Sequence, residues 1–270
     1  MAGALGVERG DVAAADLAPA ELLGAVHEHG LVVLRNQQLT PTTLVALATR
    51  LGEPEIYPFA ESLPDSPYVV AVVKNPEDRS NFGGAWHTDT SYLPQPPGLT
   101  LLYGVEIPPG GGDTLYADMR AAYEALSPGL RRTLEGLVAH NSAQMVHSGT
   151  GSYAAVAGQS VRLRETTALT EADHPVVRVH PVTGRRALFL SLIHTAHFQG
   201  MTREESLPLI TYLQEFAVRA ERCTRLRWQP GTLAIWDNRS VQHYPLNDYH
   251  GQRREMHRVI LRGETPLGPD

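Results

Sequence analysis

No apolar run in this chain is long. Residues 31–34, 68–74, 99–105, 176–180, 187–192 and 232–236 are short apolar stretches rich in β-branched or aromatic residues, and Gly, Pro, Asn or Asp borders most of them on at least one side. That pattern reads as buried strands separated by turns. Residues 254–261 alternate instead, with Arg254, Met256 and Arg258 on one face and Glu255, His257 and Val259 on the other. Two arginines on one strand face ordinarily look out to water. Between the strands lie helical segments with clear signals. Leu22, Leu23 and Val26 recur at helical spacing over 18–29, ahead of Gly30. Thr40 and Pro41 open a helix that carries Leu44, Leu47 and Leu51 and stops at Gly52; Ser127 and Pro128 open a shorter one around Leu130, Leu134 and Leu137. Thr202-Arg203-Glu204-Glu205 is a capping box, followed by the stripe Leu207, Ile210, Leu213 and Ala217 of the longest helix. Helices scattered among short strands predict a mainly β chain with flanking helices around a double-sheet, jelly-roll core.

The 270 residues, 42% hydrophobic, suffice for one large domain, and no linker composition divides them, so a single domain over 1–270 is expected. A net charge of −6 without a basic run gives a nucleic-acid backbone nothing to bind. The first ten residues lack a basic stretch followed by an apolar one, and no apolar run approaches the ~18 residues of a spanning helix. A cytoplasmic protein that does not engage a membrane is expected. Self-association as a homo-oligomer is left open. The lone cysteine, Cys223, excludes an intrachain disulfide and reads as a packing residue. Residues 140–165, rich in Gly, Ser and Ala and without periodicity, read as a lid over a functional site.

Chemistry enters at Trp86-His87-Thr88-Asp89. In an extended strand His87 and Asp89 would emerge on one face, an imidazole and a carboxylate presented together to a divalent metal. The 2-His-1-carboxylate triad of non-haem Fe(II) oxygenases needs one histidine more. Alone, the pair fits a surface histidine beside a solvated aspartate at least as well.

Further motifs change that balance: Gly111-Gly112-Asp113-Thr114, Trp236-Asp237-Asn238-Arg239, Gln242-His243-Tyr244 and Arg253-Arg254-Glu255-Met256-His257-Arg258, with His180-Pro181-Val182-Thr183-Gly184-Arg185-Arg186 between them. In this order, from about Leu31 to the C-terminus, the chain resembles the taurine dioxygenase and 2,4-dichlorophenoxyacetate dioxygenase family of Fe(II)- and 2-oxoglutarate-dependent enzymes. The resemblance implies that His87, Asp89 and His243 hold Fe(II), leaving positions for 2-oxoglutarate and O2. It implies further that Arg254 pairs with the distal carboxylate of 2-oxoglutarate, that Thr114 donates to the same group, and that Trp236 lies near the cosubstrate. A guanidinium fork suits that task, since it binds a carboxylate bidentately and stays charged.

Arg258 matches the position that holds the sulfonate in taurine dioxygenase, which implies an anionic substrate. Tyr57 and Gly83 stand where that enzyme has polar taurine contacts, so a substrate bulkier than taurine is expected, with Gly83 leaving room for it. His194, in a segment nearer the aryloxyalkanoate-degrading relatives, is a further candidate for the substrate pocket. The implied reaction hydroxylates a small organic anion (a sulfonate, sulfate ester, aryloxyalkanoate or other carboxylate) with release of succinate and CO2. Oxidation of an amino-acid-like carboxylate in a biosynthetic route is an alternative with the same cofactors, and a non-catalytic metal-binding jelly roll is another. Halogenation is disfavoured because Asp89 fills the position that such chemistry needs vacant.

Overall fold

The computed structural model describes residues 2, 3, 5–10, 12–147 and 170–269. Two sheets face each other. The larger, seven-stranded sheet runs Val7–Arg9, Leu31–Leu34, Leu233–Asp237, Leu99–Glu106, Arg254–Leu261, and the last of these also pairs with Pro54–Glu55 and Val70–Lys74. The smaller sheet runs Ala2–Gly3, Cys223–Leu226, Thr114–Asp118, Val241–Pro245, antiparallel throughout. Leu31, Val33, Ala234, Trp236 and Met256 from the first meet Tyr116, Leu226 and Val241 from the second in one buried cluster between the layers. The mainly β, jelly-roll core with flanking helices expected from the sequence is what forms.

Alternation within each strand decides which residues enter that layer. Leu233 and Ile235 point away from Ala234 and Trp236 and pack under the helices Pro19–His29 and Pro41–Leu51, with Leu22, Val26, Leu44, Leu47 and Leu51. Thr40 caps the second of these in a reciprocal box with Thr43. On the far side of the smaller sheet, Ala117 packs with Met119 and Ala122 of the helix Met119–Glu124 and with Ile210, Leu213 and Ala217 of the longest described helix, Arg203–Ala217. That helix begins at the expected Thr202–Glu205 box, but Leu207 is exposed, and the buried face takes Ser206 and Gln214 instead. Gln214 is drawn inward because its Nε2 donates to the buried Gln242 at 2.8 Å.

The strands Leu233–Asp237 and Val241–Pro245, though close in sequence, do not pair as a hairpin: they lie in different sheets. The turn between them crosses from layer to layer because Asp237 is locked at the crossing, its carboxylate accepting from His180 at 2.8 Å and from Arg239 at 2.7 and 2.9 Å. Residues 140–147, the start of the expected lid, belong to the strand Val138–Ser142 and the helix Gln144–His147; of the remainder, 148–165 lies outside the described residues. No helix among the described residues is long and apolar enough to cross a membrane.

Candidate active site

His87 and Asp89 do not sit on an extended strand. His87 makes an isolated antiparallel bridge to His243, with N–H···O distances of 3.1 and 2.8 Å in the two directions. The chain then turns, and Thr90 adopts a φ of +40°, a conformation disfavoured for a β-branched residue. Bridge and turn together do what strand periodicity was expected to do. The ligand atoms of His87, Asp89 and His243 all lie within 4.8 Å of one another, and all three residues are buried.

Their protonation states suit a divalent cation. The Nδ1–H of His87 donates to the carbonyl of Ala85 at 2.7 Å, which leaves the Nε2 lone pair available. Burial holds both imidazoles below their ordinary range, His243 far below it, so each is a neutral ligand. Burial alone would raise the pKa of Asp89, but Arg258, His243, His87 and the Thr100 hydroxyl outweigh it and keep the carboxyl well under its usual range. His243 Nδ1 is buried without a hydrogen-bond partner among the described residues. A second group, His27, His180 and Asp237, has similar spacing. There the cation is already built in: the Arg239 guanidinium spans Asp237 and donates to His27 Nε2 at 3.1 Å. At the first group the nearest guanidinium, Arg258, stands 3.6 Å from Asp89, so the donor set there fits a metal and the second does not.

A shell behind Asp89 sets its direction. Thr100 donates to Asp89 Oδ2 at 2.6 Å and accepts from Asn238 Nδ2 at 2.8 Å. Asn238 Oδ1 in turn accepts from Trp236 Nε1 at 2.9 Å, and Thr88 donates to the Asn238 carbonyl at 2.8 Å. In the sequence Thr100 and Asn238 are marked only by a hydroxyl inside the apolar stretch 99–105 and an amide within the Trp236–Arg239 motif.

A cavity opens beside the triad, lined among others by Gly83, Thr114, Trp236, His243, Arg254 and Arg258. The two arginines therefore face inward, contrary to the ordinary preference of such a strand. The opposite face, with Val259 and Leu261, is taken by the core beneath the helix Pro41–Leu51. Arg254 is buried, and its Nε and Nη2 have no acceptor among the described residues. It rests near the rings of Trp228 and Tyr249, 5.7 and 5.9 Å from their centroids. An uncompensated buried guanidinium of this kind calls for an anion. Thr114 Oγ accepts from Trp228 Nε1 at 2.9 Å, which leaves its own proton for a neighbouring acceptor. The Trp236 ring packs 4.7 Å from that of His243, and its N–H is committed to Asn238.

Of the substrate candidates, Arg258 lies with its guanidinium 4.4 Å above the ring of Tyr57. Gly83 abuts the metal-binding group itself. A Cβ there would come 2.9 Å from His87 Cε1, and its φ of +77° disfavours any side chain. His194 is buried behind the triad, hydrogen-bonded through Nδ1 to Ser91 at 2.9 Å, with its ring 6.0 Å from that of His87.

Comparisons with known proteins show the family of the chain. Residues 1–260 match the model of the taurine catabolism dioxygenase TauD, TfdA family. An alpha-ketoglutarate-dependent sulfate ester dioxygenase of Pseudomonas putida is 35% identical, covering 100% of this chain and 90% of that protein. An alkylsulfatase of Acinetobacter baylyi is also 35% identical, over 90% of this chain and 76% of that protein. The crystal structure of a taurine dioxygenase from Burkholderia xenovorans superposes with a TM-score of 0.82 at 30% identity, covering 98% of this chain and 90% of that one. With that match and those relatives, the chain belongs to the TauD, TfdA family of 2-oxoglutarate-dependent dioxygenases.

Proposed function

We propose that His87, Asp89 and His243 bind Fe(II), that Arg254 and Thr114 bind the distal carboxylate of 2-oxoglutarate, and that Arg258 receives the charge of a small organic anion. One observation carries the reading: a buried arginine with unsatisfied N–H groups shares an inward strand face with a second arginine beside a neutral-imidazole, ionised-carboxylate triad. A protein that only stored or sensed a metal has no use for the first arginine. When bound, Fe(II) would couple the oxidative decarboxylation of 2-oxoglutarate by O2, giving succinate and CO2, to oxidation of the substrate.

This chain's own residues perform the positioning. Thr100 and Asn238 aim Asp89; the Ala85 carbonyl selects the His87 tautomer; Arg254 anchors the cosubstrate so that its other end reaches the triad. Tyr57 covers one face of Arg258, so an anion is met at the edges of the guanidinium. Around that point Tyr57, Phe59, Val70, Phe82, Tyr92 and Ile260 form a buried apolar cluster. It suits a substrate with an anionic head and an apolar body. The names of the two relatives at 35% identity favour a sulfate ester, whose hydroxylation at the carbon bearing the ester oxygen would let the product break down to an aldehyde and sulfate.

The test is substrate-dependent succinate formation across alkyl and aryl sulfate esters, sulfonates, aryloxyalkanoates and N-substituted amino acids, in wild type and Arg258→Ala. Anions larger than taurine are expected to be turned over best, with the loss in the variant falling mainly on KM. A best substrate that is uncharged, or taurine as the preferred one, refutes the assignment.

A further inference from the structure

Tyr116 is the residue that this reading leaves unexplained. It lies on the Thr114–Asp118 strand two positions beyond Thr114, hence on the same inward face, and is the direct cross-strand partner of His243. Its ring is 6.2 Å from that of His243 and 5.6 Å from that of Trp236. The side chain is fully buried, and its hydroxyl has no hydrogen-bond partner among the described residues. Buried polar groups are rarely left in that state, because an unpaired hydroxyl forfeits its hydration without replacement.

Arg254 shows the same deficiency at Nε and Nη2, and Trp236 and His243, whose rings flank that of Tyr116, line the same cavity as Arg254. Tyr116 and Arg254 do not satisfy one another. Asp89, the nearby carboxylate, is already engaged by Thr100 and faced by Arg258. Neighbouring donors that all lack an acceptor require one anionic group between them.

We infer that the Tyr116 hydroxyl donates a hydrogen bond to the carboxylate of 2-oxoglutarate that Arg254 binds. The inference rests on the cosubstrate assignment made above. It makes Tyr116 a binding residue for the cosubstrate, beside Arg254 and Thr114, and explains why a tyrosine can occupy so dry a position between the sheets.

Tyr116→Phe removes the hydroxyl and keeps the ring. Wild type and variant, loaded with Mn(II), are titrated calorimetrically with 2-oxoglutarate and with 2-oxopentanoate, which has the same chain length but no distal carboxylate. The variant should bind 2-oxoglutarate about tenfold more weakly, as expected for one hydrogen bond to a charged group, and 2-oxopentanoate as wild type does. Mn(II) affinity should stay within about twofold, and the unfolding midpoint of the metal-free variant should equal or exceed that of wild type, because an unpaired buried hydroxyl has gone. Those two measurements on the same sample separate a binding defect from misfolding. Unchanged affinity for 2-oxoglutarate in the variant, or equal losses with both ligands, overturns the role of Tyr116 alone. A wild-type protein that takes up no 2-oxoglutarate overturns the cosubstrate assignment together with it.

Discussion

Thr100→Val tests the support behind Asp89 with almost no change of volume. The hydroxyl it removes donates to Asp89 Oδ2 at 2.6 Å and accepts from Asn238 Nδ2 at 2.8 Å, with Thr100 itself fully buried. The first bond lies in the short range of charge-assisted O–H···O⁻ contacts. Hydrogen bonds to a charged group contribute ~1.5–3 kcal/mol, and a buried donor left unpaired costs ~1–3 kcal/mol. With partial relaxation, the metal-free variant should lose about 2–4 kcal/mol of stability. Loss of an orienting partner of a metal ligand typically weakens metal binding by ~10–100-fold. Both quantities are accessible without turnover, by denaturant unfolding and by calorimetric titration with Mn(II). Thr100→Ser, which keeps the hydroxyl, should restore most of the metal affinity. If Thr100→Val binds Mn(II) within about twofold of wild type and unfolds at the same denaturant concentration, the shell around Asn238 does not orient Asp89 and the argument fails.

Arg254→Met should weaken 2-oxoglutarate binding by at least ~30-fold, since truncating one partner of a buried charge pair costs ~2–5 kcal/mol. Mn(II) binding should survive, and unchanged 2-oxoglutarate affinity would place the carboxylate elsewhere. His147, stacked on Phe59 and hydrogen-bonded to the Tyr92 hydroxyl at 2.9 Å, is pulled by burial from 6.5 to about 4. Between those pH values the unfolded chain takes up a proton that the folded one refuses, so stability should fall as pH drops through this window. The part due to this residue is at most ~2 kcal/mol after allowance for its partial exposure. His147→Gln should flatten that part of the unfolding profile between pH 6.5 and 4, and an identical pH dependence in the variant would assign the loss to other groups.

Much of the framework is legible residue by residue. Thr40 caps its helix as expected and adds a reciprocal bond with Thr43, Thr202 forms the box that its spacing to Glu205 announces, and Ser127 caps its helix through a 3.3 Å contact to the Leu130 N–H. Such signals are local, because a cap needs only residues within one turn of chain. The motifs around His87, Asp89, His243 and Arg254 are likewise visible, and they point to a family before any fold is known. Which way a strand faces is a different matter. Period two puts Arg254, Met256 and Arg258 together, yet it cannot say whether water or the interior lies on that side. Both faces of Arg254–Leu261 are largely buried, one under the Pro41–Leu51 helix and one between the sheets, so polarity along the strand loses its usual meaning. Charge on an inner face carries a desolvation cost that only an opposite charge can offset. Long-range neighbours decide the rest: Thr100 meets Asp89 and Asn238, Tyr116 meets His243 and Trp236, and Asp237 turns the chain from one layer to the other only because His180 reaches it from 57 positions away. Those contacts exist only once the two sheets have closed on each other, and no spacing along the chain encodes them.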